Sequence, residues 1–234
     1  MWLVTGDTHG LTGYDARKIY PNYLKAIGIN IEDIEGIIIC GDFGGIWKGT
    51  RTEIEYSVKK KLGCLPYKIC FVDGNHENHT ALGKFPIETW HGGKVHVILD
   101  NVYHLMRGQI YNVNGKTWFV MGGATSIDKE WREPDITWWH QEIPSLRQWQ
   151  EARNNLNKVD WKVDYVFTHC APTEFMLQII DSNYKAPDDV TDELQKLYEH
   201  PLKYIKWYCG HYHTDKELVQ HSLIALYNHV IELK

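Results

Sequence analysis

The stretch MWLVTGDTHG (residues 1–10) joins a short apolar run to two polar side chains, Asp7 and His9, that directly follow it. Four later segments repeat this arrangement: GIIICGDFGG (36–45), ICFVDGNHEN (69–78), YVFTHCAP (165–172) and KWYCGHYH (206–213). Apolar runs of about four to six residues are typical of buried parallel strands. Because open α/β sheets bind ligands outside the carboxyl ends of their strands, we expect the polar residues after these runs to meet in one pocket.

Length and segment order define the expected fold. A chain of 234 residues can bury the core of one domain, and it contains no Pro/Gly/Ser-rich linker or internal repeat. We therefore predict a single domain over residues 1–234. Strand–helix units come first and a strand-rich half follows, which predicts an α/β fold of two packed mixed sheets flanked by helices.

Periodicity and turn residues predict the individual elements. Strands are predicted at 2–5, 36–40, 67–72, 94–99, 102–106, 109–113, 116–121, 163–168 and 205–209. Two more strands are predicted as a hairpin within 217–233, and the second half is expected to be mainly antiparallel. Helices are predicted at 14–27, 52–62, 145–156 and 190–198.

Composition excludes several classes of protein. The net charge is −5, and no basic block suited to the phosphates of a duplex is present, so no extended nucleic-acid surface is expected. A nucleotide or a strand end bound in the pocket stays open as a partner. No apolar run is long enough for a transmembrane helix, and no signal peptide is evident. Five cysteines without a CxxC pair favour a reducing, cytoplasmic location, and the oligomeric state is left open.

The polar residues after the strands have the chemistry of metal ligands. Asp7 and His9 are separated by one residue, as are His211 and His213, so each pair points the same way on extended backbone. Aspartate, histidine and asparagine together suit Zn, Mn or Fe without a thiolate. Each motif alone is as well explained by a turn or a hydrogen-bonded core residue. Five motifs in order, each behind a buried strand, predict a metal site.

This order of motifs resembles the calcineurin-like metallophosphoesterases, whose pattern is D-x-H, G-D, G-N-H-[DE], a lone H and G-H-x-H. The motifs span residues 7–213 of the chain. The resemblance implies an αββα sandwich that holds two divalent or trivalent metal ions, with Mn, Zn or Fe expected. By position it implies a first metal held by Asp7, His9, Asp42 and His213, and a second held by Asp42, Asn75, His169 and His211.

The resemblance also implies an activity. A phosphate ester, either monoester or diester, would be hydrolysed by attack of a metal-bridging hydroxide. His76 would assist the leaving group, either as a general acid or as a hydrogen-bond donor; the alternative is a histidine that merely holds Asn75. Two alternatives to the assignment remain, namely an enzyme like the Ser/Thr protein phosphatases and a non-catalytic metal-binding scaffold of the same fold.

The chain departs from the family pattern directly after Asp42. Many members continue as G-D-x-x-D-R, in which the second Asp orients the catalytic histidine and the Arg grips the phosphate, whereas this chain reads Phe-Gly-Gly-Ile. The segment 122–145 is our candidate replacement. Arg132 would grip the phosphate, and Asp128 would orient a histidine. Trp131, with Trp138 and Trp139, would form an apolar wall or a stacking surface for a base. The alternative is a surface loop with aromatics packed on the core and Arg132 in a solvent-exposed ion pair.

Overall fold

Two mixed β-sheets pack face to face, and helices cover their outer faces. The structure is a computed structural model that describes residues 1–180, 188–200 and 202–234. The predicted αββα sandwich is therefore confirmed. Three apolar clusters fill the space between the layers. One lies between the two sheets, and the other two lie between each sheet and its helices.

The first sheet has the strand order β13-β1-β2-β3-β6-β5-β4. Its strands are β1 (Trp2–Thr5), β2 (Gly36–Cys40), β3 (Lys68–Val72), β4 (Ile87–Trp90), β5 (Gly93–Leu99), β6 (Val102–Leu105) and β13 (Ile231–Glu232). Strands β1, β2, β3 and β6 are parallel, and the remaining pairs are antiparallel. Both faces of the parallel strands are covered, which explains their unbroken apolar runs.

The second sheet has the order β11-β12-β10-β9-β8-β7. Its strands are β7 (Gln109–Val113), β8 (Lys116–Met121), β9 (Tyr165–Thr168), β10 (Lys206–Cys209), β11 (Lys216–Leu218) and β12 (Leu223–Ala225). The α-helices in the described part of the chain are α1 (Pro21–Ala26), α2 (Arg51–Leu62), α3 (His79–Leu82), α4 (Leu146–Asn157), α5 (Thr173–Ile179) and α6 (Asp189–Glu199).

The second half of the chain is less antiparallel than predicted. Strands β8, β9, β10 and β12 run parallel, and only the two outer pairs of this sheet are antiparallel. The reason is that α4 lies between β8 and β9, and α5 and α6 lie between β9 and β10, and such helical crossovers return the chain in the same direction. The predicted terminal hairpin is partly wrong: β11 and β12 pair, but β13 joins β1 of the other sheet.

The predicted helix over 14–27 is interrupted. The chain forms a 3₁₀ turn at Asp15–Ile19 and then α1, with Tyr20 between them in an extended conformation. Pro21 disfavours helical geometry at the residue before it, and it takes the first position of α1, where its missing N–H costs nothing. Strand β4 and helices α3 and α5 were not predicted. None of the described helices combines the length and the apolar character that crossing a membrane requires.

Candidate metal centre

Five loops meet at one edge of the sandwich, because each follows the carboxyl end of a strand that belongs to a parallel pair. Three come from β1, β2 and β3 of the first sheet, and two come from β9 and β10 of the second. Five predicted ligands in these loops have left-handed backbone (φ of 32–69°): Asp7, His9, Asp42, His211 and His213. Such values are uncommon for non-glycine residues and concentrate at functional sites.

Asp42 lies at the middle of the predicted ligands. Its Oδ1 is 3.2 Å from His169 Nε2, and its Oδ2 is 3.4 Å from His9 Nε2. The same His169 Nε2 is also 3.3 Å from Asn75 Oδ1. The two oxygens of one buried carboxylate therefore contact two different imidazoles.

The remaining predicted ligands surround this pair of contacts. His213 Nε2 is 3.8 Å from Asp7 Oδ1, and the backbone N–H of His211 donates to the Asp7 carboxylate at 2.9 Å. The His211 ring lies 4.8 Å from the His169 ring, centroid to centroid. The fold thus brings all seven predicted ligands to one place, although they are spread over residues 7–213.

The donor atoms fit metal ions. Three overlapping sets have their ligand atoms within 4.8 Å of one another: Asp7, His9 and His213; His9, Asp42 and His76; Asp7, Asp42 and His169. All are carboxylate oxygens or imidazole nitrogens, which suit Zn, Mn and Fe. Among the described residues, these sets share Asp7, His9 and Asp42, each of which belongs to two of them.

The ionisation of the predicted ligands also suits a cation. Burial alone would raise the pKa of Asp42, but His169 and His9 hold it well below its usual range. Burial would lower the pKa of both histidines, and the neighbouring Asp42 instead raises that of His9 to about 9 and that of His169 to about 10. Protons on these rings compensate the buried carboxylate, and a bound cation would displace them.

Contacts behind the histidines fix which nitrogen faces the centre. His169 Nδ1 donates to the carbonyl of Cys40 at 2.9 Å, and His9 Nδ1 lies 3.1 Å from Asp15 Oδ2. The Tyr227 hydroxyl donates to the other oxygen of Asp15 at 3.0 Å. With Nδ1 engaged in this way, both rings present Nε2 to Asp42. Asp15 was not singled out by the sequence analysis.

Asn75 is oriented by a buried chain of hydrogen bonds. Its amide Nδ2 donates to Ser126 Oγ at 3.3 Å, and that hydroxyl donates to Glu142 Oε2 at 2.7 Å. The backbone N–H of Ser126 donates to the other oxygen of Glu142, whose side chain is fully buried. This chain turns the amide oxygen of Asn75 towards His169. Ser126 and Glu142 lie in the 122–145 segment, but neither was predicted to have this role.

Two glycines of the motifs permit the close packing of the centre. Gly41 has a φ of 87°, and a Cβ there would lie 2.0 Å from His169 Nδ1. A Cβ on Gly74 would lie 2.2 Å from Asp42 Oδ1. Any side chain at either position would displace a predicted ligand, which is the physical reason for glycine before Asp42 and before Asn75.

His76 and Arg132 line a cavity of about 340 Å³ beside the predicted ligands. His76 Nε2 is 4.0 Å from Asp42 Oδ2 and 3.5 Å from Arg132 Nη2. Burial lowers the pKa of His76, Asp42 opposes this shift, and Arg132 adds to it. The cavity wall also includes Thr125, Ile127, Ile180 and Tyr212. The 122–145 segment therefore reaches the site, as the sequence analysis expected.

Other expectations for this segment are corrected by the structure. Asp128 Oδ1 pairs with Arg132 Nε at 2.8 Å, so its partner is the arginine and not a histidine. Trp131 is 90 % exposed and does not line the cavity, while Trp138 and Trp139 are buried. The three tryptophans therefore do not form a common wall. The indole that contacts His76 belongs instead to Trp47, which the sequence analysis did not identify.

The sequence model of the family described as calcineurin-like phosphoesterases matches residues 2–215 of this chain. The chain belongs to this family. No curated protein matches the chain. Among solved structures, it is similar to a Staphylococcus aureus protein described as a 5'-nucleotidase in complex with alpha-ketoglutarate, at 16 % identity and a TM-score of 0.49. That similarity covers 96 % of this chain, which spans 48 % of the other one.

Proposed function

We propose that this chain is a metal-dependent hydrolase of phosphoric esters and acts at a dinuclear metal centre bridged by Asp42. The observation that carries the proposal is the position of the Asp42 carboxylate, with one oxygen 3.2 Å from His169 and the other 3.4 Å from His9. A carboxylate has lone pairs on both oxygens and is the side chain suited to bridging two cations. Its burial fixes it between the two histidines.

The ligands divide between two ions. Asp7, His9, Asp42 and His213 would hold one, and Asp42, Asn75, His169 and His211 would hold the other. When bound, such a pair of ions supplies an activated water as the nucleophile and neutralises charge on the phosphoryl oxygens. The ligands themselves are oriented from behind, His9 by Asp15, His169 by the backbone carbonyl of Cys40, and Asn75 by Ser126. Mn, Zn and Fe all suit these donors.

His76 is proposed to serve the leaving group. Its Nε2 lies beside the cavity, next to Asp42 and Arg132. A ring nitrogen in this position is able to donate a hydrogen bond to the ester oxygen as negative charge develops on it. Mono- and diesters both present such an oxygen, and a nucleotide is a substrate of this class. The exposed indole of Trp131 would stack on a base outside the cavity.

The test is substitution at the bridge. Asp42→Asn and His169→Ala are expected to lower kcat/KM for an aryl phosphate, measured with added Mn²⁺, by about 1,000-fold or more. Each substitution removes a proposed ligand of the ions that would neutralise charge on the phosphoryl oxygens. Asp100→Asn, at an exposed turn, is the control and is expected to retain activity. Metal analysis should give two ions per wild-type chain. Activity surviving at the bridge variants, or a wild-type chain that binds no metal, would contradict the dinuclear mechanism.

Arg132 is proposed to bind the phosphate group. Asp128 holds its Nε at 2.8 Å, and its terminal nitrogens make long contacts beside the cavity, Nη1 to the Thr137 carbonyl at 3.4 Å and Nη2 to His76 Nε2 at 3.5 Å. Arg132→Met is expected to raise KM for the aryl phosphate by about 10-fold or more and to weaken inhibition by inorganic phosphate, because a charge-assisted hydrogen bond is lost. Arg147→Met, exposed on α4, is the matched control. An unchanged KM would remove Arg132 from substrate binding.

A further inference from the structure

We propose that Trp47 is a positioning residue for His76, in place of the carboxylate that the G-D-x-x-D-R pattern would supply. The inference rests on the proposed role of His76. Trp47 lies five residues after Asp42, in the part of the chain where that pattern is absent. Its indole lies against the His76 imidazole, with the ring centroids 5.7 Å apart and an interplanar angle of 33°.

The His76 ring has weak polar anchors. Both side-chain contacts are made by Nε2, at 3.5 Å to Arg132 and at 4.0 Å to Asp42, and these lengths are at or beyond the limit of a hydrogen bond. Within residues 1–180, 188–200 and 202–234, no side chain is hydrogen-bonded to Nδ1 of His76. Packing therefore sets the ring orientation that a carboxylate would otherwise set: the His9 ring meets the His76 ring edge to face at 5.4 Å, and the Trp47 indole covers it at 5.7 Å.

Trp47 is itself held from behind. Its indole meets the indole of Trp139 edge to face, with centroids 5.2 Å apart and an interplanar angle of 74°. Trp139 is only 1 % exposed, so it is part of the rigid interior. Aromatic pairs of this geometry contribute about 0.5–1.5 kcal/mol beyond the area that they bury. Trp47 is consequently fixed between a buried indole and the His76 ring.

The backbones of the two loops are also tied together. Gly44 N–H donates to Glu77 Oε1 at 2.9 Å, Asn78 N–H donates to the Ile46 carbonyl at 2.6 Å, and Asn78 Nδ2 donates to the Trp47 carbonyl at 3.1 Å. These bonds connect the segment after Asp42 to the segment that carries His76. These loop contacts therefore set the distance between the Trp47 and His76 backbones, and the Trp47 indole occupies the space beside the His76 ring.

The experiment is a double-mutant cycle on the intact, metal-loaded protein. Trp47→Leu is expected to lower kcat by about 10–100-fold with little change in KM, because leaving-group assistance is worth about 100–10,000-fold. The loss should be greater for phenyl phosphate than for 4-nitrophenyl phosphate, whose leaving group needs less help. Trp47→Phe, which retains an aromatic face, should recover most of kcat. In a His76→Ala background, Trp47→Leu should have almost no further effect.

The proposal would be overturned if Trp47→Leu lowered kcat equally in the wild-type and His76→Ala backgrounds. It would also be overturned if Trp47→Leu raised KM and left kcat unchanged. Metal content and thermal melting of each variant separate a positioning effect from failed folding. A second measurement does not need activity: the imidazole resonances of His76, assigned with His76→Gln, should carry a ring-current shift that Trp47→Leu removes. Absence of that shift refutes the positioning role, whereas a normal shift in a protein without esterase activity refutes only the proposed function.

Discussion

Asp15 holds His9 from behind, and its effect on the metal centre is testable. Its Oδ2 is 3.1 Å from His9 Nδ1. A carboxylate in this position orients the ring and strengthens it as a ligand, and removing one typically costs about 10–100-fold in metal affinity. Asp15→Ala is therefore expected to weaken Mn²⁺ or Zn²⁺ binding by that factor, and Asp15→Asn by less, because its amide oxygen still accepts a hydrogen bond. Competition titration with a chelator measures both, with Asp100→Asn as the control; equal affinities would show that Asp15 does not support His9.

Residues like Asp15 mark the limit of what the sequence reveals at the residue scale. The seven predicted ligands stand in motifs directly behind strands, so their convergence could be predicted. Trp47 acts across loops, through contact with His76 and Trp139. Ser126 and Glu142 act through a hydrogen-bond chain. Such contacts have no fixed spacing along the chain, so no periodicity or motif reports them.

At the scale of elements, burial decided which strands could be predicted. β1 and β2 are buried along their whole length and read as continuous apolar runs. β4 is an edge strand with mostly exposed residues, and the two-residue β13 is too short for any pattern. The two short pieces that replace the predicted helix at 14–27 follow from the placement of Pro21. Elements that carry the site were thus the most predictable, because parallel strands at the centre are covered on both faces.

At the scale of the whole molecule, a buried ion pair connects the two sheets behind the candidate site. Asp73 directly follows β3 of the first sheet, and Arg107 lies in the link from β6 of the first sheet to β7 of the second. Arg107 Nε donates to Asp73 Oδ2 at 2.8 Å, and its Nη2 donates to the Glu142 carbonyl at 3.1 Å. Burial would raise the pKa of Asp73, but Arg107 and a hydrogen bond from His104 hold it far below its usual value. The pair therefore couples the sheets next to Asn75 and His76.

Breaking this pair should destabilise the fold in a pH-dependent way. Arg107→Met removes the arginine partner of the buried Asp73 charge and leaves it the hydrogen bond from His104. The change is expected to lower the free energy of unfolding by about 3–5 kcal/mol at pH 7. Arg153→Met, which breaks a partly exposed pair with Glu193, is the control and should cost about 0–1 kcal/mol.

The effect of Arg107 should depend on pH. Because the folded-state pKa of Asp73 lies below its unfolded value of about 3.9, the contribution of Asp73 to stability is complete above that value and is lost as the pH falls towards the folded-state pKa. In Arg107→Met, protonation of Asp73 instead stabilises the folded state. The difference in the free energy of unfolding between this variant and wild type should therefore shrink from pH 7 to pH 4. Urea unfolding in the presence of a chelator measures the free energy of unfolding of both proteins at pH 7 and pH 4. If the difference between them stayed constant with pH, Arg107 would not be compensating the charge of Asp73.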